Sequence, residues 1–158
     1  KGHDRIIDVL LKSPKLSGQI HYKVIGTGSL LSRLQHEAKS LNNVEFCGKV
    51  DDEELRHLFE WCDVVIQPSR DEGMPLTFFE ALNFGRPVIC STAGDLLYFC
   101  DSPDTVYCFE TPTQLISTLG KFIDGKTHFD KDYAEKIINQ YDNNITTELA
   151  LGIIKDAR

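Results

Sequence analysis

The sequence predicts an α/β fold built on a doubly wound parallel sheet, in one domain that spans residues 1–158. Two observations lead to this prediction. Short apolar runs of the buried-strand type alternate along the chain with amphipathic helical patterns. Several of these runs end in a glycine or proline turn that opens into the next helix. With 158 residues, 41% of them hydrophobic, the chain can bury one core of ordinary size.

The first half of the chain shows the alternation most regularly. Ile6, Ile7, Leu10 and Leu11 share one stripe of a helical pattern, and acidic residues open the last helix of this half, where they favour the helix dipole. The predicted elements are a helix over 3–12, a turn over 13–18, a strand over 20–25, a helix over 29–41, a strand over 44–47 and a helix over 51–61.

The second half continues the pattern, and right-handed crossovers would place its strands in the same parallel sheet. The predicted elements are a strand over 63–67, a helix over 76–84, a strand over 88–90, an irregular stretch over 93–104, a strand over 105–109, a helix over 113–123, and one or two helices from 131 to about 155 with a break near 143–144.

Composition excludes several classes of protein. The net charge of −7 argues against a general nucleic-acid surface, and no apolar run approaches the length that spans a membrane. The five cysteines are odd in number and form no C-x-x-C pair, so we expect five structural thiols in a reducing compartment, the cytoplasm. No histidines are paired at metal-ligand spacing, and we expect no metal site.

The chain is organised around residues 68–91, PSRDEGMPLTFFEALNFGRPVICS. Here a strand ends at Pro68, a glycine turn follows, and a short helix begins with Pro75 at its first position. Free N–H groups at such a helix start are where α/β sheets place phosphates. Glu72 and Glu80 frame this loop with seven residues between them. Glu80 could bind a ribose diol there, or Glu72 could cap the helix and Glu80 be a solvated surface charge.

The segment EGMPLTFFE, set between PSRD and ALNFGRPVIC, resembles the glutamate–seven residues–glutamate signature of retaining glycosyltransferases. It is similar, more narrowly, to the C-terminal, donor-binding half of family 4 of the GT-B enzymes. The resemblance implies a Rossmann-like domain whose first strand is truncated and whose N-terminal, acceptor-binding domain is absent. A chain that starts at Lys1 without methionine also indicates a fragment. We expect such a fragment to bind donor but to be inactive alone.

The resemblance also implies roles for individual residues. Lys1, in a Lys-Gly pair typical of the family, would neutralise the donor diphosphate, Glu80 would bind the ribose, and Glu72 would position the sugar or the loop. The implied loop contacts to the donor come from Gly73, Met74, Pro75, Leu76 and Thr77. The architecture implies no essential metal and no cofactor besides the nucleotide diphosphate sugar, which is the donor substrate.

Two further segments carry weaker signals. The turn Gly26-Thr27-Gly28 lacks the third glycine of a dinucleotide fingerprint, so it is either a tight turn or a weak donor contact. After the next strand, Val50 corresponds to a family position that packs on the nucleobase, and Asp52 could accept hydrogen bonds from a guanine. The alternative for Asp51 and Asp52, which we favour, is a helix cap and a first-turn acid.

The function implied is transfer of a hexose from a nucleotide sugar to an acceptor hydroxyl of a glycan, lipid or small molecule, with retention, in glycan biosynthesis. Residues 93–97, AGDLL, depart from the family's G-G-x-x-E. That departure supports one alternative, a non-catalytic or split nucleotide-sugar-binding subunit; a GT-B-like sugar-nucleotide epimerase is another. The implied localisation is cytoplasmic, with any peripheral membrane contact made by the absent domain.

Overall fold

The computed structural model describes residues 1–73, 75–100 and 104–142, in which helices alternate with parallel strands. The helices are α1 (His3–Lys12), α2 (Pro14–Ser17), α3 (Leu31–Glu37), α4 (Asp52–Trp61), α5 (Leu76–Asn83), α6 (Pro112–Ile123) and α7 (Lys131–Asp142), with 3₁₀ helices at Ala38–Ser40 and Gly94–Phe99. The strands are β1 (Tyr22–Ile25), β2 (Val44–Gly48), β3 (Val65–Gln67), β4 (Val88–Ser91) and β5 (Val106–Phe109).

The described strands pair in two groups, β1 with β2 and β3-β4-β5 in that order, and every pairing is parallel. One edge of β1 and one edge of β3 therefore have no partner strand among the described residues. Residues of both edges, among them Lys23 and Ile66, line the same cavity of about 730 Å³. The two groups of strands thus face each other across an open slot.

Side chains of β4 alternate between the two faces of the sheet, as the two-residue period of a strand requires. Val88 and Cys90 belong to the core beneath α5 and α7, whereas Ile89 packs in the core beneath α1 and α6. All three are fully buried. Helices therefore cover both faces of β3-β4-β5, which confirms the doubly wound arrangement that the sequence predicts.

Several predicted bounds were wrong. Residues 14–17 form the short helix α2, where a plain turn was expected, since Pro14 supplies a suitable first helical residue. The stretch expected to be irregular contains the 3₁₀ helix Gly94–Phe99, because Leu96 and Phe99 bury their side chains in the core. The helix predicted over 29–41 is shorter, as α3 ends at Glu37 in a 3₁₀ turn. The predicted break near 143–144 lies outside the described residues.

The prediction of five free thiols was also wrong. Cys100 and Cys108 form a disulfide, while Cys47, Cys62 and Cys90 are free. The 3₁₀ helix delivers Cys100 onto β5, where Cys108 lies, and no local pattern in the sequence signals that approach. The argument from free thiols to a reducing compartment therefore no longer holds. No helix in the described ranges is long and apolar enough to cross a bilayer.

Candidate active site

Glu72 is the centre of a polar cluster just beyond the carboxyl end of β3. The Lys1 ammonium donates to both carboxylate oxygens of Glu72, at 2.7 Å each, and the Ser69 hydroxyl donates to Oε2 at 2.7 Å. The Glu72 side chain is 14% exposed, whereas that of Lys1 is 67% exposed. The cluster therefore holds a largely buried carboxylate whose counter-ion reaches it from solvent.

Two opposing effects set the pKa of Glu72. Burial raises this pKa, because it disfavours the charged carboxylate, but the hydrogen bonds from Lys1 and Ser69, together with the positive charges of Lys1 and the chain's amino terminus, lower it by more. The pKa consequently lies below its ordinary value, and Glu72 is ionised at neutral pH. It is therefore equipped to accept hydrogen bonds and unsuited to donate a proton.

The lowered pKa of Glu72 predicts a pH-dependent contribution to stability. Because the folded-state pKa is depressed, the stabilisation is fully present above the ordinary pKa of 4.5 and is lost as pH falls through the folded-state value. We expect the difference in free energy of unfolding between wild type and Glu72→Gln to be positive at pH 7 and to shrink below about pH 4.5. Urea denaturation of both proteins across this range measures the difference. A constant difference would contradict the prediction.

The turn that carries Glu72 is supported from behind by the start of the 3₁₀ helix. The Asp95 N–H donates to the Glu72 carbonyl oxygen at 3.3 Å, and Gly94, at φ +57°, lies directly against that carbonyl. A Cβ atom at position 94 would overlap the Glu72 carbonyl oxygen. Glycine is therefore required at this position both by its backbone conformation and by its neighbour.

The Lys1-Gly2 pair is held at the same edge of the sheet. Gly2, at φ +79°, lies against the carbonyl of Pro68, so close that a Cβ atom would overlap the carbonyl oxygen. One turn further on, the Arg5 guanidinium donates to the carbonyls of Pro68, at 3.3 Å, and Glu110, at 3.0 Å. These contacts fasten the start of α1 to the ends of β3 and β5 and thereby bring Lys1 to Glu72.

The start of α5 is open to solvent, as an anion-binding helix terminus must be. Pro75 is the N-cap residue, not the first helical residue as predicted, and no side chain of the described residues caps the helix. Leu76 and Thr77 form the exposed first turn. Gly73 is exposed too, and a Cβ built on it meets nothing within 4 Å, so the backbone there is accessible to a ligand. Met74 lies outside the described residues.

Glu80 lies on α5 and is half-buried. Among the described residues, no side chain is found to donate a hydrogen bond to its carboxylate. Lys1, Glu72 and Thr77 line one cavity, whereas Glu80 is not among the residues that line it. The structure thus joins three predicted site residues around one space, and Glu80 lies one turn further along α5.

Val50 and Asp52 lie apart from this cluster, at the start of α4. Val50 is half-buried and Asp52 is exposed, and neither lines the cavity beside Glu72. The Asp51 carboxylate accepts from the Glu54 N–H at 2.9 Å and caps α4, with Asp52 as the first helical residue. The favoured interpretation of these acids, as a cap and a first-turn acid, therefore matches the geometry.

Ser69 is a site residue that the sequence analysis missed. It is 2% exposed, and its carbonyl oxygen accepts a hydrogen bond from the Ser91 hydroxyl at the end of β4. Its own hydroxyl holds Glu72, as described above. The signal was present in the Pro-Ser pair that precedes Glu72 by three residues, the distance at which a turn folds one side chain back onto another.

Within the described ranges, one group of metal-ligating side chains lies close together, and it is made of Cys90, Cys100 and Cys108. No such group includes Glu72 or Glu80. The candidate active site therefore offers an ammonium, ionised oxygens and helix N–H groups. These groups can bind a phosphorylated ligand and its hydroxyls directly.

The sequence was compared with protein-family models and with known proteins. The family model described as "Glycosyl transferases group 1" matches residues 1–142. The O-antigen chain mannosyltransferase C of Escherichia coli is 32% identical over 93 residues, which are 56% of this chain and 25% of that protein. The O-antigen biosynthesis glycosyltransferase WclY of Escherichia coli is 27% identical over 155 residues, 90% of this chain and 42% of that protein. The chain thus spans less than half the length of these relatives.

Solved structures show the same fold. Anabaena Alr3699/HepE in complex with UDP-glucose has a TM-score of 0.77 at 22% identity, over 100% of this chain and 46% of that one. The apo form of the lipopolysaccharide outer core galactosyltransferase WaaB has a TM-score of 0.72 at 18% identity, and the match covers 100% of this chain and 46% of that one. The Rossmann-like GT-B fold expected from the sequence is confirmed. By its match over residues 1–142, the chain belongs to the group 1 glycosyl transferases.

Proposed function

We propose that this chain is the donor-binding part of a retaining hexosyltransferase, which moves a sugar from a nucleotide diphosphate sugar to an acceptor hydroxyl. The observation that carries the proposal is the Lys1–Glu72–Ser69 cluster at the open start of α5. An ammonium and free helix N–H groups suit a diphosphate, and an ionised carboxylate beside them suits sugar hydroxyls.

Each residue has a distinct task in this proposal. Lys1 and the N–H groups between Gly73 and Thr77 stabilise the negative charge that develops on the departing diphosphate, so no metal is needed for that purpose. Glu80 accepts hydrogen bonds from the ribose diol. Glu72, kept ionised by its partners, accepts hydrogen bonds from the sugar and orients it.

Packing of the nucleobase on Val50 is a further part of the proposal, and Val50 lies outside the cavity beside Glu72. This packing requires the nucleotide to extend from α5 towards the start of α4. The solved relative in complex with UDP-glucose makes UDP the first nucleotide to test. The acceptor, whether glycan, lipid or small molecule, would be bound by a second domain that faces the donor site.

The slot between β1 and β3 supports the proposal that further chain completes this domain. Both strands present a free edge of backbone groups to the same cavity. Such edges are satisfied when an extended segment pairs with both of them. We propose that one strand running parallel to β1 and β3 fills the slot and leads into the segment around Lys1. We also propose, on the basis of the family, that the chain is part of a longer protein and that this protein is cytoplasmic.

Calorimetric titration with UDP, GDP and ADP tests the donor site. We expect one nucleotide to bind, and Glu80→Ala to weaken its binding by ~1–3 kcal/mol, because the ribose loses a charged acceptor. Glu53→Ala is the matched control, since Glu53 is an exposed helical glutamate on α4 and should leave binding unchanged. Equal weakening by both substitutions would contradict the assigned role of Glu80.

A binding-only subunit is the second candidate, and the 93–97 segment favours it. Ala93 and Leu97 stand where the family pattern G-G-x-x-E has its first glycine and its glutamate, so the carboxylate of that pattern is absent at position 97. Turnover of a nucleotide sugar by the full-length protein decides between the two candidates. Nucleotide binding without turnover, in the presence of acceptor, would support the binding subunit.

A further inference from the structure

Three cysteines meet on the face of the sheet that packs beneath α5. Cys90 of β4 and Cys108 of β5 are register partners, so their side chains project from the same face, and their sulfur atoms lie 3.6 Å apart. Cys100, at the end of the 3₁₀ helix, is bonded to Cys108 in a disulfide. All three sulfur atoms lie within 4.8 Å of one another. This cluster of Cys90, Cys100 and Cys108 is hereafter the cysteine cluster.

The spacing of the cysteine cluster matches what a cation bound by three thiolates requires. With a metal–sulfur distance of about 2.3 Å, three sulfurs arranged in a plane around one ion lie ~4 Å apart. Cys90 and Cys108 are already close to that separation. Once the disulfide is reduced, a side-chain rotation can move the sulfur of Cys100 away from that of Cys108.

The surroundings select the kind of cation. Cys90 is fully buried, and its neighbours in the core include Leu96, Phe99 and Phe78. Among the residues that the structure describes, no carboxylate or imidazole belongs to the cluster. Thiolate ligands prefer soft ions such as Cu(I) and Zn(II), whereas Mg²⁺ and Ca²⁺ prefer oxygen ligands.

We propose that the reduced cysteine cluster is a binding site for one thiophilic d¹⁰ cation, of the class of Cu(I), Zn(II) or Cd(II). A dithiol supplies the two electrons and two protons that convert the disulfide into the Cys100 and Cys108 thiols. A phosphine supplies the two electrons and becomes the phosphine oxide with the oxygen of a water molecule, whose two protons go to the sulfurs. The cation then replaces the three thiol protons, which are released to solvent, and three metal–sulfur bonds form. Disulfide and bound metal are therefore mutually exclusive states of the same cluster.

The third cysteine is what distinguishes this site from a plain disulfide. Cys90 plays no part in the disulfide, yet its sulfur faces the pair. Burial raises the pKa of Cys90 to about 12, so its thiol is protonated while no cation is present. A bound cation supplies the positive charge that offsets the buried thiolates. The cysteine cluster shares no residue with the Glu72 cluster, so the proposal of a metal site does not depend on the proposal of a donor site.

Titration of the reduced chain with Cd(II), in a phosphine reductant, tests the proposal through the sulfur-to-metal charge-transfer absorption. We expect one Cd(II) per chain, and Cys100→Ser should weaken binding by more than the ~10–100-fold that loss of an outer-shell partner costs. Cys47→Ser and Cys62→Ser are the matched controls, because both cysteines are free and lie outside the cluster. Neither control substitution should change the affinity or the stoichiometry.

A second measurement keeps the proposal testable if a variant folds poorly. Bound Cd(II) should protect Cys100 and Cys108 of the reduced wild-type chain from alkylation, as read by peptide mass spectrometry, and leave Cys47 and Cys62 reactive; Cys90, which is fully buried, is not used as a readout. Oxidation to the disulfide should release the metal. No stoichiometric binding, binding unaffected by Cys100→Ser, or protection of Cys47 or Cys62 in place of the cluster would each overturn the proposal.

Discussion

Replacing Gly94 with alanine is expected to destabilise the domain strongly and to disturb the candidate donor site. A non-glycine residue at φ +57° carries ~1–3 kcal/mol of backbone strain. The added Cβ also overlaps the carbonyl of Glu72, and overpacking of this kind costs a further ~1–3 kcal/mol. Because that carbonyl belongs to the turn that holds the Glu72 carboxylate, nucleotide affinity should fall as well. Urea denaturation and calorimetric titration measure the two effects.

The matched control for this prediction is Gly28→Ala. A Cβ built on Gly28 meets nothing within 4 Å, and its φ lies outside the left-handed region. We expect its free energy of unfolding to stay within about 0.5 kcal/mol of wild type, as for other surface substitutions. If Gly94→Ala were no more destabilising than Gly28→Ala, the support that the 3₁₀ helix gives to the Glu72 turn would be refuted.

Replacing Phe78 with alanine is expected to lower the free energy of unfolding by about 3–5 kcal/mol. Phe78 is fully buried on the inner face of α5, and its ring lies 4.6 Å from that of Phe99 and 5.3 Å from that of Phe79, between ring centroids. The substitution would leave a cavity between α5 and the 3₁₀ helix. Thermal and urea denaturation measure the loss, and melting should remain cooperative if the rest of the core holds.

Leu76→Ala provides the comparison on the same helix. Leu76 is 72% exposed, so its truncation removes little buried surface and should change the free energy of unfolding by no more than about 0.5 kcal/mol. Similar losses for the two variants would show that α5 is not anchored through Phe78. Because Leu76 lies at the proposed donor site, its effect on nucleotide affinity is measured separately.

Lys1 and the Glu72 turn, which together form the candidate donor site, are held in place by different contacts. Lys1 is positioned by α1, through the contacts of Gly2 and Arg5 with Pro68. The Glu72 turn is positioned by Gly94 and by the buried face of α5. Substitutions on either side should therefore weaken a bound diphosphate. Because Lys1 and Glu72 belong to one hydrogen-bonded network, the effects of the two substitutions on affinity should be coupled and not simply additive.

The sequence by itself determined the alternation of helix and strand, the open helix start after Gly73, and the seven-residue spacing of Glu72 and Glu80. These are local properties, because periodicity and turn residues act through neighbouring backbone. The bounds of α1, α4 and β4 came out within a residue of the prediction for the same reason. Where packing shapes the backbone, as at Gly94–Phe99, local pattern predicted an irregular stretch and failed.

Only the tertiary structure decided which distant residues meet. Lys1 and Glu72 are 71 positions apart, and their ion pair exists because α1 begins beside the carboxyl end of β3. The cysteine cluster likewise depends on the parallel register of β4 and β5 and on a 3₁₀ helix that crosses above them. Spacing along the chain carries no information about such contacts, because strand order and register set them. The chemistry of this site therefore resides in residues that topology, and not proximity in sequence, brings together.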